Sequence, residues 1–259
     1  MAVSSVPDID EVSDPRVALW WARISLFGMP IFIVAVLLAN YLWVSSLELD
    51  SIEQRNLNAN NIWTLLVEHI QLSFVSTVLV VIIAIPAGIA VTRPAFSKAT
   101  PFVLALGNAG QAIPSLGFIT IIVIWFGVGF NSVIVGLVAY SALPILRNTM
   151  VGLQQVDANV IKAARGMGLS PRQILTRVEL PLAVPVMLAG IRTALIINVG
   201  TASLAFLYNA GGLGLMIQTG IQLNRTPVLI TGVVLVASLA LTVDYLASTL
   251  GRLASPKGL

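Results

Sequence analysis

The sequence predicts an all-α polytopic membrane protein of about six transmembrane helices, and three observations carry that prediction. Hydrophobic side chains make up 57% of the 259 residues and charged ones only 10%, far from the roughly one-quarter charged residues of an ordinary soluble domain. The apolar residues gather into uninterrupted runs, each near the ~20 residues a helix needs to cross a ~30 Å hydrocarbon core. Lys and Arg lie almost entirely between those runs. In lipid every unpaired backbone amide costs several kcal/mol, so open sheets and free loops cannot stand in for helices there.

Residues 1–22 read as a disordered cytoplasmic tail: the first sixteen are rich in Ser, Pro, Asp and Glu and lack the positively charged start of a secretory signal peptide. The first hydrophobic segment, 23–45, is then retained, with its helix over about Ile24–Val44. A polar stretch follows from Ser45 to Asn61, carrying Glu48, Asp50, Glu53 and Arg55. The remaining spans form a core over 62–250. Their helices are expected at Trp63–Val91, Pro101–Val128, Asn131–Leu146, Leu180–Leu207 and Val228–Leu250, with 251–259 as a short cytoplasmic tail.

Basic residues near span ends are retained on the cytoplasmic side of a membrane. With the N-terminus inside, the cytoplasmic segments receive Arg16, Arg23, Arg93, Lys98, Arg147, Lys162, Arg165, Arg172, Arg177, Arg252 and Lys257, leaving only Arg55 and Arg225 outside. Both termini are therefore placed in the cytoplasm. The same distribution explains the net charge of +3 without nucleic acid, since no arginine-rich stripe or interleaved aromatic platform is present.

Several chemistries are excluded by composition. No cysteine is available for a disulfide, a thiolate metal site or a Cys nucleophile, and His69 is the one histidine, so a His-based metal cluster or a Ser-His arrangement has no second imidazole. No G-x-x-x-x-G-K-[ST] phosphate loop occurs, so this chain has no P-loop with which to hydrolyse ATP.

The connection over 151–179 is structured rather than linker-like. Asp157 opens a helix-forming run through Arg165, and Gly168 stops it. Ser170-Pro171 then supplies the cap and first position of a second short helix, expected to end before Leu180-Pro181. In this loop Ala163-Ala164, Gly168, Val178, Leu180 and Pro181 have the spacing of the EAA loop, and the chain closely resembles the permease subunits of ABC importers that carry it. Lys162 departs from the pattern, standing where Glu is usual. Small residues suit docking, because Ala and Gly hold a partner's surface at near-backbone distance. The competing reading is an amphipathic helix lying on the membrane surface.

Gln111-Ala112-Ile113-Pro114-Ser115-Leu116, and Gly190–Ala194 through Gly200-Thr201-Ala202 to Gly211-Gly212-Leu213-Gly214, are similar to permeases of osmoprotectant importers, which carry glycine betaine, carnitine, choline or proline betaine. The resemblance spans about Leu65–Ser248, and Asn209 stands where that family more often has Gly. It implies the type I ABC importer permease fold, a bacterial plasma (inner) membrane location and a role as the permease that moves such solutes by alternating access. It also implies a second permease, as a copy or a sister chain, a cytoplasmic ATPase dimer that uses ATP and Mg, and an extracytoplasmic substrate-binding protein. No cofactor is expected on this chain. Within the resemblance, the ATPase-coupling loop consists of Lys162, Ala163, Ala164, Gly168, Leu180 and Pro181. The alternatives are an ABC permease for an amino acid or other small solute, and an ion-coupled secondary transporter, which would need several paired ionisable residues at mid-membrane.

For the translocation pathway or gate the candidates are Gln111, Pro114, Arg192, Asn198 and Thr201. Arg192 lies well inside the fifth helix. It either pairs with Asp244 of the sixth and supports a gate, or snorkels to the interface. Gln111 and Pro114 either break the third helix beside a conduit or mark a kink satisfied internally. Asn198 and Thr201, with Gly200 and Ser203, either face that conduit or pack helices together. Glu68 and His69 are read as interfacial, near the outer end of the second helix. Trp125, Phe126, Phe130, Phe206 and Tyr208 are read as an aromatic belt rather than a cage for a quaternary ammonium cargo, and the Asn224-Arg225-Thr226 triplet as a chance match.

Overall fold

The computed structural model describes residues 15–254, whose regular structure is entirely helical. Helix α1 runs Pro15–Ser45, so residues 15–22 are helical where a disordered tail was expected. Pro15 occupies the helix start, where its missing N–H costs nothing, and Val17–Ala22 contains no helix breaker. The rest of that tail, 1–14, lies outside the described residues. At the other terminus α11, Thr226–Ala254, overruns its expected end at Leu250, and 255–259 again lie outside the described residues.

Between these come α2 (Ser51–Asn56), α3 (Ala59–Val91), α4 (Thr100–Ala112), α5 (Ser115–Phe126), α6 (Phe130–Gln154), α7 (Ala158–Gly166), α8 (Pro171–Ile174), α9 (Leu180–Ala202) and α10 (Gly214–Gln222). Helix α2 falls in the stretch read only as polar. A capping box makes it: Asp50 Oδ1 accepts from the Ile52 and Glu53 amides, and Glu53 Oε2 accepts from the Asp50 amide. Helix α6 continues past its expected end at Leu146, because Arg147 and Asn148 are polar without being breakers.

The expected third helix is two. Helices α4 and α5 meet at a bend of 105°. Pro114 has no amide to continue α4 and pushes Ile113 into extended backbone, with ψ 132°.

Helices α3, α6 and α9 form the centre of the bundle. They approach at small residues: a Cβ built on Gly88 would lie 2.8 Å from Thr149 Cβ, and one on Gly190 would lie 2.7 Å from Asn148 Cβ and 2.9 Å from Pro144 O. Such contacts let backbones close in where lipid offers no hydrophobic drive for helix association. Gly88 meets Thr149 near one end of α3 and α6, and Leu72 clusters with Val133 and Leu137 near the other. The two helices are therefore parallel, so the bent α4–α5 pair must carry the chain across the bundle between them. Helix α9 runs against α6, with Ala183 beside Gly152 and Ala202 beside Val133. Counting the bent pair as one span gives six crossings: α1, α3, α4–α5, α6, α9 and α11.

Helix α11 is antiparallel to α9, and α1 to α11, where Asn40 Nδ2 donates to Thr231 Oγ1 at 3.3 Å. Both described chain ends consequently lie at the end of the bundle that carries α7 and α8. Arg93, Lys98, Lys162, Arg165, Arg172 and Arg177 gather there too, making it the basic end. Arg147, expected with them, instead stands about two turns inside α6 and donates to Asn108 Oδ1 of α4 at 2.6 Å. At the opposite end, Arg225 pairs with Asp50 at 2.8 Å and ties the start of α11 to α2.

Candidate functional site

At the basic end the chain leaves α6 and forms a helical hairpin outside the bundle. Asp157 Oδ1 accepts from the Asn159 amide at 2.7 Å and starts α7. Gly168 stops it, with φ +79°, a left-handed conformation that costs a residue bearing Cβ about 1–2 kcal/mol. The Leu169 amide then reaches back to Ala164 O at 3.2 Å. A second capping box starts α8: Gln173 Oε1 accepts from the Ser170 amide at 2.8 Å, and Ser170 Oγ accepts from the Gln173 amide.

Helix α8 does not end before Leu180-Pro181 as expected. It passes through one π-helical turn, Leu175–Glu179, directly into α9, giving a continuous helical stretch from Pro171 to Ala202. The Leu180 amide bonds Leu175 O, five residues back. That wider register lets the helix accommodate Pro181, which has no amide of its own.

The coupling-loop residues divide by burial. Ala164 is 2% exposed and packs inward, while Lys162, Ala163 and Gly168 face outward, and a Cβ on Gly166 or Gly168 would meet nothing within 4 Å. Pro181 is exposed and Leu180 packs beside Leu153, Ala183 and Met187. Below the hairpin, buried Glu179 accepts from Arg93 Nη2 at 2.7 Å. This anchor between α3 and the base of α9 was not foreseen. Its signal in the sequence was a lone Glu among basic residues of the loop.

Of the pathway candidates, Arg192 and Asp244 are brought together in a bidentate pair, Nε to Oδ1 at 2.5 Å and Nη2 to Oδ2 at 2.7 Å. Their side chains are 42% and 22% exposed, so the pair is not sealed in the core. Arg192 lines an apolar cavity of about 310 Å³ with Ile70, Phe74, Leu195 and Leu239. On its other side Arg192, Thr193, Asp244 and Ser248 line a more polar cavity of about 510 Å³. Gln111 Nε2 donates to Tyr140 O at 3.4 Å, and Pro114 is exposed at the break.

Asn198 and Thr201 lie elsewhere, in the interior. Asn198 is fully buried and its Nδ2 donates to Thr77 Oγ1 at 2.9 Å, joining α9 to α3. The packing reading is the one their geometry fits. The surface of α9 is formed instead by Ala189, Thr193, Ile196 and Gly200, whose 4-3-4 spacing follows one helix face.

Two expectations at the far end are corrected. His69 is not interfacial but fully buried: its Nε2 donates to Val199 O at 2.9 Å, and its Nδ1 accepts from the Leu213 amide at 3.3 Å. Beside it Glu68 Oε2 accepts from the Gly212 amide at 2.9 Å. These two side chains on α3 lock the loop before α10. Burial is possible because each polar atom in use has a backbone partner. Tyr208 leaves the aromatic belt: it is 8% exposed, with its hydroxyl 2.6 Å from Thr120 Oγ1. Trp125 and Phe126 do lie outward, 82% and 66% exposed. Asn209 takes φ +54°, the left-handed conformation that Asn tolerates best after Gly.

Comparisons with known proteins converge on this architecture. The family model described as "Binding-protein-dependent transport system inner membrane component" matches residues 84–257. The chain is 40% identical over 224 residues to the osmoprotectant import permease protein OsmY of Salmonella typhimurium, covering 86% of this chain and 93% of that one. It is 39% identical over 192 residues to the glycine betaine/carnitine/choline transport system permease protein OpuCB of Bacillus subtilis, covering 74% and 88%. Among solved structures, an inward-facing form of the MetNI methionine ABC transporter matches with a TM-score of 0.65 at 28% identity, over 75% of this chain and 96% of that chain. With its six crossings and exposed hairpin, this multi-pass chain belongs to the inner-membrane permease components of binding-protein-dependent ABC importers.

Proposed function

We propose that the chain is the permease subunit of an ATP-driven importer for osmoprotectants such as glycine betaine, carnitine or choline, working by alternating access. The observation that carries this reading is the α7–α8 hairpin: α7 is a short capped helix held outside the bundle with Ala163, Gly166 and Gly168 uncovered, and α8 beside it continues into α9. Cargo enters the proposal through the relatives, named for osmoprotectant, glycine betaine, carnitine and choline transport at 35–40% identity.

In this reading the basic end faces the cytoplasm, in keeping with the positive-inside rule, and both termini lie with it. The coupling loop, Lys162, Ala163, Ala164, Gly168, Leu180 and Pro181, docks into an ATPase dimer that binds ATP and Mg. This chain binds no cofactor and hydrolyses nothing. A second permease, identical or sister, encloses the pathway, and a separate binding protein delivers cargo at the far end. ATP must make the docked partner favour one permease state over the other by a differential contact energy, since equal contact with both shifts nothing. The pathway face is assigned to the outward stripe of α9, with the Arg192–Asp244 pair at its edge and the α4–α5 break at Gln111 and Pro114 alongside.

The test is uptake of radiolabelled glycine betaine, carnitine and choline by cells expressing the complete transporter, with Gly168→Asp as the docking variant and membrane insertion as the control. Saturable, ATP-dependent uptake that Gly168→Asp abolishes is the expected result. Uptake indifferent to Gly168→Asp, or driven by an ion gradient without ATP, refutes the coupling reading, and transport of none of the three solutes refutes the cargo.

A further inference from the structure

The residue of α7 that departs from the EAA pattern is also one that points directly away from the protein. Ala164 marks the inward face. At about 100° per residue, Lys162 and Gly166 fall on the opposite side, about 40° apart. Asn159, Ala163 and Arg165 border them, and all five residues are exposed.

The Lys162 ammonium has no hydrogen bond or ion pair among the described residues. The two carboxylates of the loop have other partners: Asp157 Oδ1 caps α7, and Glu179 is engaged with Arg93. Arg165 is exposed on the same helix, Arg172 and Arg177 are exposed on the following one, and Met167 is 73% exposed. The outward face thus presents small side chains around a cation, with Arg165 at its border.

We propose that the surface receiving α7 carries a carboxylate opposite Lys162, so that the docking groove of this transporter's ATPase is acidic at that point. The inference rests on the reading of α7 as the ATPase-docking helix. If Gly166 seats at near-backbone contact, the ammonium one turn away on the same face loses water as the helix docks. An ammonium desolvated without a partner is strongly unfavourable, and a carboxylate in hydrogen-bond reach offsets that cost. The usual Glu at this position needs a cation in the same place. Permease and ATPase are therefore matched here with the charges exchanged, and like-charge juxtaposition disfavours pairing with an ATPase built for Glu.

The complete transporter, purified in nanodiscs, provides the test. Lys162→Arg retains the ATPase, Lys162→Met weakens its binding about tenfold or more, and Lys162→Glu weakens it about a hundredfold, with thermal unfolding of the permease unchanged in all three. In the wild-type complex a water-soluble carbodiimide, which condenses an amine with a carboxylate in direct contact, joins Lys162 Nζ to an Asp or Glu of the ATPase, read by mass spectrometry. Lys162→Glu that binds the ATPase as tightly as wild type, or tighter, overturns the proposal. So does a Lys162→Glu that keeps its ATPase but loses affinity for phosphatidylserine-containing vesicles, which assigns the lysine to the lipid surface. Gly166→Trp separates the two levels: an ATPase that stays bound to this variant defeats the docking reading itself, whereas one released by Gly166→Trp but held by Lys162→Glu defeats only the acidic partner.

Discussion

The α7–α8 hairpin at the basic end and the lock around His69 at the far end each depend on a handful of polar groups, but on opposite sequence scales. The hairpin's hydrogen bonds join residues two to five positions apart, whereas Glu68 and His69 reach partners 130 and 144 positions away. The hairpin is nearly all exposed and the lock is buried. An exposed surface can be shaped by local caps and turns alone. A loop held closed against the bundle needs groups delivered by different spans, and its stability is tied to the whole fold.

That contrast can be broken by variants that affect one region and spare the other. The largest loss of transport is expected from Ala163→Trp, whose ring would hold any docking surface off α7: ATP-dependent uptake falls about tenfold or more, equivalent to at least about 1.4 kcal/mol of lost contact. The permease's own thermal unfolding stays at the wild-type temperature, and a lowered temperature would show that α7 is part of the core. Next comes His69→Ala, which strands the buried Val199 carbonyl and Leu213 amide. At about 1–3 kcal/mol for each unsatisfied group, the detergent-solubilised protein should unfold at clearly lower temperature, and hydrogen exchange should quicken at 210–214. Unchanged protection there would detach the lock from the fold.

Smaller effects sharpen the same comparison. Gly168→Ala forces a Cβ into the left-handed region and costs about 1–2 kcal/mol, felt as fraying of α7 in hydrogen exchange and not as global unfolding. Thr77→Val removes the oxygen that Asn198 Nδ2 uses, and membrane hydrogen bonds average about 0.6 kcal/mol, so its stability shift should be barely resolved. A large loss in Thr77→Val would mean that the α3–α9 seam bears more of the fold than the central glycine contacts do.

The hairpin was legible because each of its devices is a local pattern: Asp157 before a helical run, Gly168 after it, Ser170-Pro171 to begin again. The six spans were legible from hydropathy, and the Arg192–Asp244 pair from two charges standing alone in apolar runs. The lock was not, because a single His beside Glu near a span end looks the same whether it faces lipid headgroups or a loop more than a hundred residues away. Pro114 announced an interruption, but whether a proline bends a helix slightly or by 105° is decided by what packs around it. Pro181 misled for a related reason. It was read as a stop, yet the π turn before it supplies a register in which the helix continues.

That continuity makes α8–α9 a lever. From Leu180 to Ala202 the helix has 23 residues, about 35 Å at 1.5 Å each, and the Glu179–Arg93 anchor stands at its base as a fulcrum. A tilt of about 10° there would carry the far end through about 6 Å by that length. A displacement at the hairpin would then reach the opposite face of the membrane along one continuous helix.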